Sequence, residues 1–143
     1  MGRDPADSKG AAGADRLRPV HDPLTGSEAL RVVSERRGEA LVLRVSGELD
    51  LSTAPVLDAA VSAAREEQGP PVVLDLSGVS FVDSTGIRSL IGAAQALESE
   101  GRAFALLSPA DAVVRVLDLT DLRVRFHEIE NLEPATLSGL RNR

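Results

Sequence analysis

The sequence predicts a single α/β domain, a mixed and mostly parallel β-sheet packed with about four helices. Three observations predict it. Short runs rich in Val and Leu alternate with longer amphipathic stretches at the spacing of strand-helix-strand units. One of those runs, Val72-Val-Leu-Asp-Leu76, is nearly all apolar, as a strand covered on both faces must be. Finally, Ile87, Leu90, Ile91, Ala94 and Leu97 repeat as the inward stripe of a helix. A chain of 143 residues has room for one domain of ordinary size.

Residues 1–27 mix Gly, Pro and charges without apolar periodicity, which predicts a disordered leader, followed by the folded domain over 28–135 and a C-terminal tail at 136–143. Leu30-Arg-Val-Val33 and Leu41-Val-Leu-Arg-Val45 read as two strands joined across the charged turn Glu35 to Glu39. Ser52 and Thr53 offer hydroxyls as N-cap to a helix with Pro55 in its first turn and Ala54, Leu57, Val61 and Ala64 on one face, stopped by Gly69-Pro70-Pro71. The buried run from Val72 follows. The next helix spans about Ser84 to Glu100, with Gly101 as its cap. Phe104 to Leu107 reads as a fourth strand, Pro109 to Leu117 as a short helix with Val113, Val114 and Leu117 inward, and Val124 to Ile129 as a fifth strand containing His127. A last helix covers Leu132 to Leu140.

Composition removes many functions. With aromatics at 2% and only Phe81, Phe104 and Phe126 among them, no stacking platform for single-stranded nucleic acid exists. Nine basic against sixteen acidic residues leave Gly38–Arg143 at a net −7, which repels phosphate backbones. The absence of cysteine excludes disulfides and thiolate chemistry and fits a cytoplasmic chain. The longest uncharged stretch, Ser89 to Leu97, is about half of the ~20 residues that a membrane span needs. No signal peptide is expected, and no partner among nucleic acids or membranes.

One segment carries chemistry. Val79-Ser-Phe-Val-Asp-Ser-Thr-Gly86 brings Asp83, Ser84, Thr85 and Gly86 to the start of the second helix, where backbone amides and the positive dipole end face outward. Two readings stay open at this level. Asp83 or Ser84 is an ordinary N-cap with Gly86 packed close to the sheet, or Ser84 accepts a phosphoryl group that the helix start tolerates. Asp50 ends the neighbouring strand at the same edge if the sheet is parallel, so a phosphate there meets like charge from Asp50 and Asp83.

The run of motifs Gly47-Glu-Leu-Asp50, Val73-Leu-Asp-Leu-Ser77, Val79 to Gly86, Leu107-Ser-Pro-Ala110 and Val114 to Leu119 resembles the successive signatures of STAS domains, closest to bacterial anti-sigma factor antagonists, over roughly Ala29 to Glu133. The resemblance implies a small mixed-sheet α/β domain and no catalytic residue. It further implies phosphorylation of Ser84 by a partner anti-sigma factor, a GHKL-type serine kinase, loss of binding to that partner on phosphorylation, and resetting by a PP2C-type phosphatase. Asp50 matches the loop aspartate beside the phosphosite, and Thr85 is the lesser acceptor. The expected contact surface is Asp50, Leu51, Ser52 and Thr53, then Val82, Asp83, Ser84, Thr85 and Gly86, with Arg88 and Ser89 on the helix. Ile87-Arg88-Ser89 departs from the small or apolar residues common there, which points to a partner particular to this chain.

Other chemistries fit less well. Ser84, Asp83 and His127 supply the residue types of a hydrolase, but the nucleophile elbow is missing and an adjacent Asp cannot orient a histidine behind the serine. Glu48, Asp50, Asp75 and Asp83 suggest a Mg²⁺ site only if they converge, and Asp75 lies inside the central strand; no metal and no cofactor is expected. The alternative role for the same fold is an accessory or scaffold subunit, of a lipid-transport ATPase or a stressosome, that binds protein without a phosphoswitch.

Overall fold

The computed structural model describes residues 29–67 and 69–141, so the expected leader lies outside the described residues. The elements are β1 (Arg31–Arg37), β2 (Ala40–Leu49), α1 (Ala54–Arg65), β3 (Val72–Val82), α2 (Ser84–Ser99), β4 (Phe104–Leu107), α3 (Asp111–Leu119), a 3-10 turn (Arg123–Arg125), β5 (Glu128–Ile129) and α4 (Pro134–Arg141). The five strands lie in chain order, β1 antiparallel to β2 and every later pair parallel. This is the mixed, mostly parallel sheet with four helices that the sequence predicts.

Alternation along the strands sorts side chains onto two faces. Val32, Leu41, Leu43, Val72, Leu74, Phe104 and Leu106 enter the larger core with Leu57, Val61, Leu90, Leu97 and Leu117 of α1, α2 and α3. Ala40, Val42, Val73, Ala105 and Ile129 face the other way and are covered by Leu137 and Leu140 of α4. The boundary drawn at residue 135 therefore falls within a helix whose inward leucines belong to this second core. Arg102, only 8% exposed, donates from Nε to the Pro70 carbonyl at 3.0 Å and from Nη1 to that of Ala64 at 3.5 Å, closing the C-terminal end of α1.

Three local expectations need correction. The β1–β2 turn is tight: Arg37 pairs with Ala40, leaving Gly38 and Glu39 as a two-residue loop with Gly38 at φ +58°. The central strand runs on to Val82, because two extra residues are absorbed as bulges where Arg44/Ser46 and Gly47/Glu48 meet it. The fifth strand is two residues long rather than Val124 to Ile129. Asp121 takes φ +58°, the amides of Arg125 and Phe126 bond back to Leu122 and Arg123, and the Arg123 guanidinium grips Glu128 at 2.7 and 3.0 Å, so the segment coils before it pairs with β4. Val114 is half-buried, while Val113 and Leu117 are fully inward.

Candidate functional site

The site is built where β2 and β3 end. Their parallel pairing sets Leu49 beside Val82, and the Asp83 amide donates to the Leu49 carbonyl at 3.2 Å, so the segments that leave the two strands start side by side. Asp50 and Asp83 thereby share one edge, as the parallel arrangement requires.

Asp50 organises the first segment. Its Oδ1 accepts from the amides of Ser52 (3.0 Å) and Thr53 (3.1 Å) and from the Ser52 hydroxyl (2.9 Å). Burial works against ionisation here, but the hydroxyl of Ser52 and the donors of Thr53 outweigh it and hold the carboxyl below the ordinary carboxylate value. Thr53 does not cap α1 with its side chain. Its backbone is already helical, and its hydroxyl donates instead to the Glu48 carbonyl at 2.7 Å while accepting the Asp50 amide at 2.9 Å. Thr53 is fully buried, so it holds the loop from beneath and leaves Leu51, 73% exposed, at its tip.

Asp83 organises the second segment as the N-cap of α2. Its extended backbone and its Oδ1, which accepts the Gly86 amide at 2.9 Å, match the preferred cap geometry, and its carbonyl accepts from Ile87 at 3.0 Å. Ser84 opens the helix, exposed, and engages no protein group among the described residues. Thr85 is half-buried. Gly86 is buried against β2, so α2 starts close upon the sheet. Arg88 is exposed and Ser89 half-buried one turn further on.

The structure thus gathers the predicted residues on one edge and sorts them. Leu51, Ser52, Ser84 and Arg88 present side chains to solvent, Asp50, Asp83, Thr85 and Ser89 do so in part, and Thr53, Val82 and Gly86 shape the edge from within. A groove of about 500 Å³ runs from this edge between α1 and α2, with Leu51, Pro55, Asp58, Thr85, Arg88 and Gly92 in its walls. Pro55 and Asp58 escape a reading of α1 that follows only its inward stripe. Their signal is the second face of the helix, where Pro55, Asp58 and Ser62 recur at helical spacing.

The residues weighed for other chemistry are kept apart. Asp75 points to the α4 side of the sheet, where its Oδ1 accepts the amide and hydroxyl of Ser77 at 3.0 and 2.7 Å, so it does not join Asp50 and Asp83. His127 lies by a cleft of about 600 Å³ lined also by Pro71, Arg102 and Arg125, where Pro71 directly precedes β3 and Phe104 starts β4. That places it at the opposite end of the strands from Ser84. No group of three His, Asp or Glu among the described residues is disposed to hold a metal ion.

Known proteins match this arrangement. A model of the STAS domain fits residues 31–135. The chain is 30% identical over 91 residues to the anti-sigma-B factor antagonist of Staphylococcus aureus, covering 64% of this chain and 84% of that protein. Among solved structures, an anti-sigma factor antagonist from Mycobacterium paratuberculosis superposes with a TM-score of 0.66 at 30% identity, over 78% of this chain and 94% of that one. The anti-sigma factor antagonist SpoIIAA in its unphosphorylated form does so with 0.60 at 25% identity, over 78% and 97%. The topology, the paired strand ends that carry Asp50 and Asp83, and these matches agree: the chain belongs to the STAS domain family.

Proposed function

We propose that this chain is an anti-sigma factor antagonist whose unphosphorylated form binds an anti-sigma factor serine kinase, frees the sigma factor, and is switched off when Ser84 is phosphorylated. The observation that carries the reading is the placement of Ser84: an exposed hydroxyl on the first residue of α2, beside a loop tip that presents Leu51, on an edge whose two carboxylates, Asp50 and Asp83, are already bonded to backbone amides. The relatives named as antagonists support the general role.

In this reading the chain acts in the cytoplasm and supplies a surface rather than a catalytic group. The γ-phosphoryl group of ATP passes to Ser84 Oγ as the bond to ADP breaks, and the hydroxyl proton goes to a base of the kinase; a PP2C-type phosphatase later hydrolyses the ester. The added phosphate brings about −1.5 to −2 of charge to the centre of a surface that must lose water on binding. An unpaired buried charge at an interface costs about 2 to 5 kcal/mol, about one and a half to three and a half powers of ten in affinity.

The test mixes the protein with its cognate GHKL-type kinase and ATP. Wild type should gain one phosphate and lose binding, while Ser84→Ala gains none and binds constitutively. Equal labelling of Ser84→Ala, undiminished binding by the phosphorylated form, or recovery of a transport ATPase in place of a kinase from the native host overturns the proposal.

A further inference from the structure

We propose that Arg88 takes hold of the phosphate once Ser84 carries it, so that phosphorylation both adds charge to the edge and withdraws a cation from it. The inference rests on the phosphoswitch reading above and deepens it.

Ser84 and Arg88 are four residues apart on α2, hence neighbours on one face about 5 to 6 Å apart at Cβ. Side chains on a helix lean toward its N-terminus, so the guanidinium of Arg88 falls back over the first turn, where Ser84 stands. An anion placed four residues before a cation is also the favourable order of such a pair. Of the two arginines in the groove walls, Arg65 is tied to Glu100 at 2.6 Å. Arg88 enters none of the ion pairs or hydrogen bonds among the described residues, so nothing must be broken for it to turn to a phosphate.

The rest of the edge offers the phosphate no counter-charge. The Gly86 amide is given to the Asp83 carboxylate and that of Ile87 to the Asp83 carbonyl, which leaves the neutral amides of Ser84 and Thr85 as the donors of the first turn. The charged groups that face the position are the carboxylates of Asp83 on the cap, Asp50 on the β2 loop and Asp58 on α1, all of which repel it. A bidentate guanidinium is the counter-charge that this set lacks. Its engagement also clears Arg88 from the groove mouth, so a partner that reads Arg88 in the unmodified protein meets a different surface afterwards.

The experiment installs phosphoserine at position 84 of the full chain by genetic encoding and follows its ³¹P resonance through a pH titration. The guanidinium favours the dianion, so the second ionisation, ordinarily near pH ~6, should fall lower in the parent than in Arg88→Gln by about 0.3 unit. Arg88→Lys should lie between them, and high salt should narrow the gap. Coincident titrations in parent and Arg88→Gln overturn the proposal. If the gap is found but the kinase leaves Ser84 unlabelled, the contact stands and the phosphoswitch reading falls.

Discussion

Gly86 stands so close to Leu49 that a methyl group on its α-carbon would lie 2.5 Å from the Leu49 carbonyl oxygen and 2.8 Å from Leu49 Cγ. The register of β2 and β3 and the start of α2 are thus locked by one missing side chain.

Gly86→Ala should destabilise the fold by about 3 kcal/mol, because backbone and the buried Val82 side chain have to yield. Gly92, on the same helix, has open space where its Cβ would be, and Gly92→Ala should stabilise by about 0.5 to 1 kcal/mol. Denaturant midpoints of the pair check both signs, and equal midpoints would mean that α2 does not sit tightly on β2.

Asp50 predicts a pH dependence. Its folded-state carboxyl lies below the unfolded value, so its contribution is complete above the unfolded value and is lost as pH falls through the folded one. Asp50→Asn keeps an acceptor but not the charge and should cost about 1 kcal/mol at neutral pH, with the difference from wild type closing toward pH ~2. Urea unfolding at the two pH values measures it, and a gap that stays constant with pH would rule out the Ser52 and Thr53 donors as its cause.

Leu51 separates stability from recognition. At 73% exposure it contributes little to the core, so Leu51→Asp should change stability by less than about 0.5 kcal/mol. On the proposed function, the same change should weaken kinase binding at least about tenfold, an aliphatic anchor having been replaced by a charge. Titration calorimetry beside a melting curve gives both numbers, and unchanged affinity would remove the β2 loop from the contact surface.

Much of this architecture is legible in the residues because a few segments carry unmixed signals. Val72 to Leu76 is apolar but for Asp75, and the stripe Ile87, Leu90, Ala94 and Leu97 has one period, so β3, β4 and α2 stand where their patterns place them. Bulges hide the rest of β3: Ser77 with Gly78, and Ser80 with Phe81, are exposed in consecutive pairs, which breaks the strand period of two while the ladder continues. Val124 to Ile129 has strand composition, yet β4 gives it only Leu106 and Leu107 to pair with, and the Arg123 bonds to Glu128 and Asp118 favour a coil. At the site, residue types reveal Asp50, Asp83 and Ser84. They do not reveal that Thr53 points inward to Glu48, since a hydroxyl at a helix start reads as a cap whichever way its rotamer turns.

The cap formed by Asp83 has a kinetic meaning. Because its carboxylate already closes the first turn of α2 and the Ser84 hydroxyl is engaged by no group among the described residues, a modification at Ser84 has no bond to displace there and no segment to refold. On the proposed function, the mark would be written and erased repeatedly on an unchanged scaffold, with no memory of earlier rounds, and the lag of a response built on it would be set by the enzymes that act on it.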